Sequence, residues 1–584
     1  MHLGKPVRSK KREVLFLVIL HLALSLLFSG TIPLGEAPDE ADHWAYIQYL
    51  AREHHLPQGP ELTQSKHPPL YHATAALWGM LWMPELGHLD SRLFLRANPD
   101  VTFSPKLAAT RAYALNSFIH TTFEAWPWRD GPLAFHWVRL WSVLLSTWTV
   151  WATYRLARHA FPHEEEIPFL AAAVVALLPE FLFIGSVLNN DTLAALLASL
   201  ALVMAMREYQ TPGDRGHLLL GLVLGLGVWA KVSTLAVWPA VGLWLCLGAL
   251  KVRGKGKGLL RCGLPFLVAG LLAAPWFLRN WRLFGDPWGW ALARQTVDVR
   301  TGPWTWQDTW WLVRGWFYSF WGKFGSAGHI PMARPVYVLL LVATGLAGVG
   351  LIRRLQVDER SRAPLLGSGL ALVGVMGAIW RYSLVALGTD QGRLLFPALA
   401  PIALLLAVGW LTLIPPSRRH WASRGLAGGL LILSLYAWAG VIRPAYAPPP
   451  PASLQRISPG DGVAFGPLRL LAWDLDGWPT LYWTLDEPTD VDWRVAFRLV
   501  DGEGHLVAEW KRSPGAGRWS TDHWPPGYIM QDVYPPQRWA HLPPGRYRVE
   551  VGVYPFMGSW TLPEGHTSPF VPLGIWEQGT HGGD

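Results

Sequence analysis

The sequence predicts a polytopic α-helical membrane protein of about eleven transmembrane helices, followed by an all-β sandwich at the C-terminal end. Three observations predict it. Of 584 residues, 51% are hydrophobic and only 16% are charged, against about 25% charged in an ordinary soluble domain. Apolar runs recur along the first three quarters of the chain, separated by compact Arg/Lys clusters, as cytoplasmic loops require. Beyond Ala447-Pro448-Pro449-Pro450-Pro451 the apolar period changes to two, the period of half-buried strands.

The first span covers about residues 14–34. Its flank of Lys5, Arg8, Lys10, Lys11 and Arg12 places the N-terminus in the cytoplasm. No small-residue cleavage site follows, so the segment reads as an uncleaved span. The apolar stretch 70–83 opens on Pro68-Pro69 and is too short for a crossing, which needs about 20 residues. It reads as a helix lying at the interface. If it crossed, Arg155 and Arg158 would end up outside after the next span. Further spans are expected at 135–156, 167–188, 191–207, 218–230, up to 251, 264–278, up to 353, up to 389, up to 418 and up to 441. This arrangement puts Arg155/Arg158, Arg207, the run Lys251 to Lys257, Arg353-Arg354 and Arg418-Arg419 all on one side. The consequence is a multi-pass protein of the plasma membrane with its C-terminal domain outside.

The expected domains are a transmembrane domain at 1–446 with exterior loops at about 35–134 and 279–334, a stiff proline linker at 447–455, and a sandwich at 456–584. In the sandwich, Trp493, Val495, Phe497 and Leu499 alternate with Arg494, Ala496 and Arg498, and Tyr547, Val549, Val551 and Val553 form a second alternating run. Asp501-Gly502-Glu503-Gly504 reads as a hairpin turn. Further strands are expected at 468–474 and 481–485.

A net charge of +9 could suggest nucleic acid. The cations, however, sit between spans and not in a basic patch with interleaved aromatics, which argues against such a partner. Two cysteines, Cys246 and Cys262, lie in or beside spans and provide neither a disulfide framework nor a zinc site.

The chemistry concentrates at Glu36-Ala37-Pro38-Asp39-Glu40-Ala41-Asp42-His43, just past the first span, and at Lys66-His67-Pro68-Pro69-Leu70-Tyr71-His72. Charge at a bilayer edge is costly unless it faces water, a partner or a substrate. Asp39 is the candidate general base, with Glu40 as its partner. Apolar surroundings would raise the pKa of such a carboxylate. His43, one helical turn after Asp39, could orient it. His67 is a candidate to bind phosphate, order the loop or bond Asp39. Asn116, His120 and Glu124 fall at i, i+4, i+8, one face of a helix. Asp191 reads as a cap for the fourth span more than as a catalytic group. Lys231, Arg279, Arg282 and Arg393 fall at exterior span ends, where a lipid phosphate would lie. Snorkelling to headgroups is the simpler alternative for each of them.

Pro38-Asp39-Glu40 and His67-Pro68-Pro69-Leu70-Tyr71 together resemble the GT-C membrane glycosyltransferases, specifically the protein mannosyltransferase and aminoarabinose transferase group (glycosyltransferase family 39). Asn189-Asn190-Asp191, Lys231-Val232-Ser233 and Gln391-Gly392-Arg393-Leu394-Leu395-Phe396-Pro397 fit the same group. The resemblance covers roughly residues 10–440 and not the sandwich. It implies a GT-C-like fold and an inverting transfer of a sugar from a polyprenyl-phosphate donor on the exterior face. Asp39 would be the base, beside Glu40. His43, Lys66, His67, Tyr71, His120, Asn190, Asp191, Lys231, Arg279, Arg282, Gln391 and Arg393 would line the substrates. Some members carry a Glu before Lys-Pro-Pro-Leu and bind a metal. Here that place reads Ser65-Lys66-His67, which leaves a divalent metal ion open as a cofactor.

Physical reasoning reaches a similar donor. An exterior site has no access to cytoplasmic nucleotide sugars, so the sugar must arrive on a lipid. Its phosphate is a good leaving group and needs only positive charge to receive it. The acceptor, whether protein, lipid or glycan, needs a base. Two other readings compete: a flippase or transporter of lipid-linked glycans, which predicts broken spans, midplane charges and internal repeats, and a membrane-anchored carbohydrate-binding protein working through its sandwich.

Overall fold

The structure, a computed structural model, describes residues 8–211, 216–251, 261–453 and 462–579. Lys5, Arg253, Lys255, Lys257 and positions 454–455 of the expected linker lie outside the described residues. The chain divides into two compact units, and the division does not follow linear order. One comprises 1–32, 37–89 and 134–443; the other comprises 33–36, 90–133 and 444–584.

In the helical unit, each of the eleven expected spans is a helix. Among the described residues seven helices are long and apolar enough to cross a membrane, or eight if the pair Glu166–Ala176 and Pro179–Gly185, bent by 56°, is one span. The bend falls where Leu178 is extended and Pro179 opens the second piece. Proline has no N–H to continue the first helix, and it fixes φ for a new start. The other three are less apolar or shorter. Asp130–Ala160 carries Arg139 in its middle, His217–Ala230 has 14 residues, and Leu264–Phe284 ends on Arg279, Asn280 and Arg282. The stretch expected to lie at the interface is the 11-residue helix Leu70–Met80. It packs against Glu40–Glu53.

The helix Leu399–Thr412 crosses Arg334–Val357 very closely. A Cβ on Gly350 would lie 1.9 Å from the Gly409 carbonyl oxygen, and one on Gly409 2.1 Å from that of Ala347. Small residues at a crossing let backbones approach, as membrane helices often require.

The second unit holds eight strands of the sandwich: β1 Val463–Phe465, β2 Leu468–Asp474, β3 Thr480–Leu485, β4 Trp493–Val500, β5 Leu506–Arg512, β6 Met530–Val533, β7 Gly545–Pro555 and β8 Phe570–Gln578. They form two antiparallel four-stranded sheets, β8-β7-β4-β5 and β1-β2-β3-β6. Phe497 lies opposite both Trp510 and Val551, and these side chains close a core with Trp483, Tyr534, Trp539 and Trp576. The β4–β5 hairpin turns at Asp501, whose carboxylate accepts from the N–H groups of Glu503 and His505.

Residues 90–133 pack on these strands, although the sequence assigns them to a loop of the transmembrane domain. Arg512, fully buried, reaches Asp100 at 3.3 Å and Asp532 at 3.0 Å. Arg96 pairs with Asp492 at 2.9 Å. Asn98 and Asn116 each donate at 2.9 Å, to the carbonyls of Ala516 and Gly517. Asn116, His120 and Glu124 share no helix. The segment before Thr122–Glu124 is irregular and is tied by single bridges, Ala97 to Phe118 and Val101 to Ala114. The i, i+4 spacing of His120 and Glu124 ends instead in a 2.9 Å ion pair across one turn.

Candidate active site

The site is built from the start of the helix Glu40–Glu53. Asp39 precedes it in the left-handed conformation, φ 61°, which Asp tolerates better than most residues. Successive side chains at a helix start diverge by about 100°, so Asp39 and Glu40 cannot share a face. Asp39 keeps 42% of its side chain exposed. Glu40 turns into the core and is fully buried against Arg139. The pair is two-pronged, with Nε to Oε1 and Nη2 to Oε2 both 2.8 Å. Arg139 Nη1 also donates to the carbonyls of Ser29 and Ile32, and the Leu188 N–H donates to Glu40. One buried ion pair thus ties the end of the first span, the Asp39 loop, the second span and the turn after the third. Glu40 is a structural anchor in this arrangement and does not stand beside Asp39 as a second acid.

Asp39 meets Arg393 instead, whose Nη2 donates to Oδ2. Arg393 Nε donates to Gln391 Oε1 at 2.6 Å, and Nη1 to Asp191 Oδ2 at 3.4 Å. Lys231 Nζ donates to the other oxygen of Asp191. Gly392 allows this, because a Cβ there would lie 2.1 Å from the Phe320 backbone nitrogen. The loop before Leu399–Thr412 therefore presses on Trp306–Gly322 and delivers the next residue, Arg393, to the carboxylates. Asp191 caps no helix: the cap position is Asn190, without a side-chain cap bond. The Asp191 carboxylate, 1% exposed, gathers the two cations. Asn190 is buried with its amide nitrogen unpartnered.

Lys66 completes the cluster. Its Nζ donates to the Thr63 carbonyl at 3.0 Å. Burial lowers the Lys66 pKa, against the attraction of Asp39 and Asp42. Burial pushes the Asp39 carboxyl up, but Arg393, His43 and Lys66 prevail and hold it below the usual carboxylate range. This is opposite to the shift expected from apolar surroundings alone. For Asp42, burial and the Asp39 charge win, and its pKa rises.

No side-chain hydrogen bond joins His43 to Asp39 among the described residues. The Nδ1 of His43 lies 2.8 Å from Nε2 of His72, whose ring stacks on Tyr46 at 4.2 Å. Burial lowers His43 to about 3, so the pair is neutral and shares one N–H. His67 is likewise kept neutral by burial and by Lys66 and Lys231, and no hydrogen bond joins it to Asp39 among the described residues. Tyr71 is buried and links Ser142 Oγ at 2.7 Å to the Asn189 N–H at 2.9 Å. Arg279 donates to the Pro57 carbonyl and to Asn280 Oδ1 at 3.3 Å. Arg282 is exposed, with no ion pair among the described residues. His120 belongs to the other unit, where it bridges Glu36 at 3.1 Å and Glu124.

Sequence reasoning missed Arg139 and Glu180, and gave His72, inside the second stretch, no role of its own. Arg139 looks like an interruption in a span, and an intramembrane cation is itself a signal. Glu180, 2% exposed, accepts from Ser319 Oγ at 3.1 Å and from the Lys323 N–H at 3.0 Å, and its charge also attracts Arg393.

The described residues hold no group of three or more His, Cys, Asp or Glu side chains placed for a metal ion. Ser65, at the place of the metal-binding family carboxylate, is turned to the Gly59 carbonyl. The residues do not fit a resident metal. Three carboxylates, Asp39, Asp42 and Asp191, face three cations, Lys66, Lys231 and Arg393. Such a site can accept a proton on its one open carboxylate, Asp39, and receive an anion on its cations.

Residues 135–281 match the family model described as dolichyl-phosphate-mannose-protein mannosyltransferase. The segment contains Arg139, Glu180, Asn190, Asp191, Lys231 and Arg279. No curated protein sequence matches the chain. Among solved structures, ArnT from Cupriavidus metallidurans bound to undecaprenyl phosphate is 13% identical, with TM-score 0.40 over 74% of this chain and 73% of that one. The same protein in the apo state gives 12% identity and TM-score 0.42 over 75% and 74%. The archaeal oligosaccharyltransferase AglB from Archaeoglobus fulgidus, in complex with an inhibitory peptide and a dolichol-phosphate, gives 13% and 0.38. That match covers 74% of this chain and 56% of AglB, so the chain spans little more than half of that enzyme's length.

Proposed function

We propose that the helical unit is a glycosyltransferase that moves a sugar from a polyprenyl-phosphate donor to a hydroxyl or amine of a protein, lipid or glycan acceptor at the exterior membrane face, with inversion. The observation that carries the reading is the meeting of one solvent-reachable carboxylate, Asp39, with Arg393 and Lys66, beside the Asp191–Lys231 pair that Arg393 also joins. The family model over 135–281, whose description names a lipid-phosphate sugar, supports the donor class. The flanking basic clusters favour the exterior side.

In this reading Asp39 takes the proton of the acceptor O–H or N–H. The freed electron pair forms the bond to the anomeric carbon from the face opposite the phosphate. The anomeric C–O bond breaks, and its electron pair leaves on the polyprenyl phosphate. The phosphate departs as a weakly basic anion that the cations receive, so no protein acid is needed to protonate it. Arg393 offers a planar fork of donors to the phosphate, and Lys231 and Lys66 offer point charges. Asn190 has a free amide N–H for a donor oxygen. Glu40 and Tyr71 position the loops that carry these groups.

The test is a reconstituted preparation with whatever lipid-phosphate sugar copurifies, identified by mass spectrometry. Asp39→Asn should lower transfer by about 10²–10⁴, the usual range for losing a general base, while the variant inserts and elutes as the wild type does. Transfer retained in Asp39→Asn would remove the assignment.

A further inference from the structure

We propose that Asp39 and the donor phosphate compete for the same guanidinium, so that donor binding itself releases the base from Arg393. This rests on the proposed transferase reading and adds an order of events to it. Every cation of the cluster already has an oxygen partner without substrate: Lys66 the Thr63 carbonyl, Lys231 Asp191, and Arg393 Gln391, Asp191 and Asp39. With three carboxylates against three cations, the cluster offers an arriving phosphate no net positive charge. One carboxylate has to yield.

Asp39 is the one that can. Its side chain is 42% exposed, so water replaces Arg393 at little cost once the contact breaks. Asp191 is 1% exposed and would be left as a buried, partly uncompensated charge. Arg393 is itself only 7% exposed, and Asp39 is the more exposed of its two carboxylate partners. The phosphate therefore takes the place of the Asp39 carboxylate, while Asp191 and Lys231 keep the cradle in shape. The consequence is a sequence: the base is held by Arg393 until the donor is in place, and only then turns to the acceptor. Charged or titratable groups facing Asp39 are Arg393 from the loop before Leu399–Thr412, His43 and Asp42 from its own helix, Lys66 from the turn Thr63–Lys66, and Tyr382 from the end of Glu359–Ser383.

The experiment measures binding of undecaprenyl phosphate, as a stand-in for the leaving group, to the full-length protein in nanodiscs. If the two compete, Asp39→Asn binds it about tenfold more tightly than the wild type although its transfer is much lowered. Loss of a nearby negative charge would also help an anion, so Asp42→Asn is the control. It removes a neighbouring carboxylate that does not touch Arg393, and should gain no more than about twofold. In an Arg393→Gln background the Asp39→Asn gain should vanish. Equal gains from Asp39→Asn and Asp42→Asn, or a gain that survives Arg393→Gln, overturn the competition while leaving the transferase reading intact. Binding by no form of the protein would sink both. Asp39→Ala, followed in parallel, covers the case in which the amide fails to fold.

Discussion

At the scale of single residues, neighbours in sequence hold opposite positions. Asp39 is open to solvent and shares its partner; Glu40 is sealed and owns its partner. Burying an ion pair repays its desolvation only when the geometry is good and the remaining donors are used. The Glu40–Arg139 pair meets both conditions, with two parallel bonds and two backbone carbonyls on the third guanidinium nitrogen. Removing one partner leaves the other charged and unpaired. Glu40→Gln or Arg139→Met should each cost about 3–5 kcal/mol, read as a lower thermal unfolding midpoint in detergent. The double variant Glu40→Leu with Arg139→Met should lose less than either single one. If the singles melt like the wild type, the anchor role is wrong.

At the scale of elements, the lengths of the apolar runs made the helices legible, because a crossing needs a known number of apolar residues. The helix Leu70–Met80 was legible as a short one because its apolar run is brief and begins after two prolines. The bend at Leu178 was not, since Pro179 inside a uniform apolar run resembles a tolerated proline. The partners of Glu40 and His43 were not legible either. Arg139 and His72 lie 99 and 29 positions away, and nothing local marks such pairings. Asp39 and Arg393 were each legible as functional candidates, but their contact across 354 positions was not. Gly392 is where element packing meets the site. Gly392→Ala sets a methyl group against the Phe320 backbone, which cannot rotate away. Overpacking of this kind costs about 1–3 kcal/mol, and here the strain falls on the residue before Arg393. The expected result is a donor KM raised about tenfold with a smaller change in kcat, as for lost ground-state and transition-state binding alike. An unchanged donor KM would mean that the Arg393 loop does not depend on this close approach.

At the scale of the whole molecule, the sandwich was legible as strands but not as a folding unit, because its missing piece lies some 400 residues earlier in the chain. Two predictions follow from that piece. His120 is raised to about 10: burial lowers it, but Glu124 and Glu36 outweigh burial. Its folded pKa exceeds the ordinary 6.5, so its stabilisation is complete below pH 6.5 and is lost as pH rises through about 10. The unfolding midpoint of this unit should fall between pH 7 and 10 by the equivalent of a few kcal/mol, and His120→Gln should flatten that slope. The second prediction concerns the boundary. A fragment of residues 444–584 retains all eight strands but loses Asp100 from Arg512 and Arg96 from Asp492. It would have to expose or leave unpaired ions that are buried in the whole unit, and it would bare the carbonyls of Ala516 and Gly517 that Asn98 and Asn116 bond. Such losses are comparable with the whole margin of a domain of this size, since each broken buried pair costs about 3–5 kcal/mol against a total of about 5–15. The fragment alone should therefore show no sharp near-ultraviolet dichroism and no cooperative melt. The same fragment joined by a flexible linker to residues 90–133 should regain both. A cooperative melt in the short fragment would show that the sandwich folds without residues 90–133.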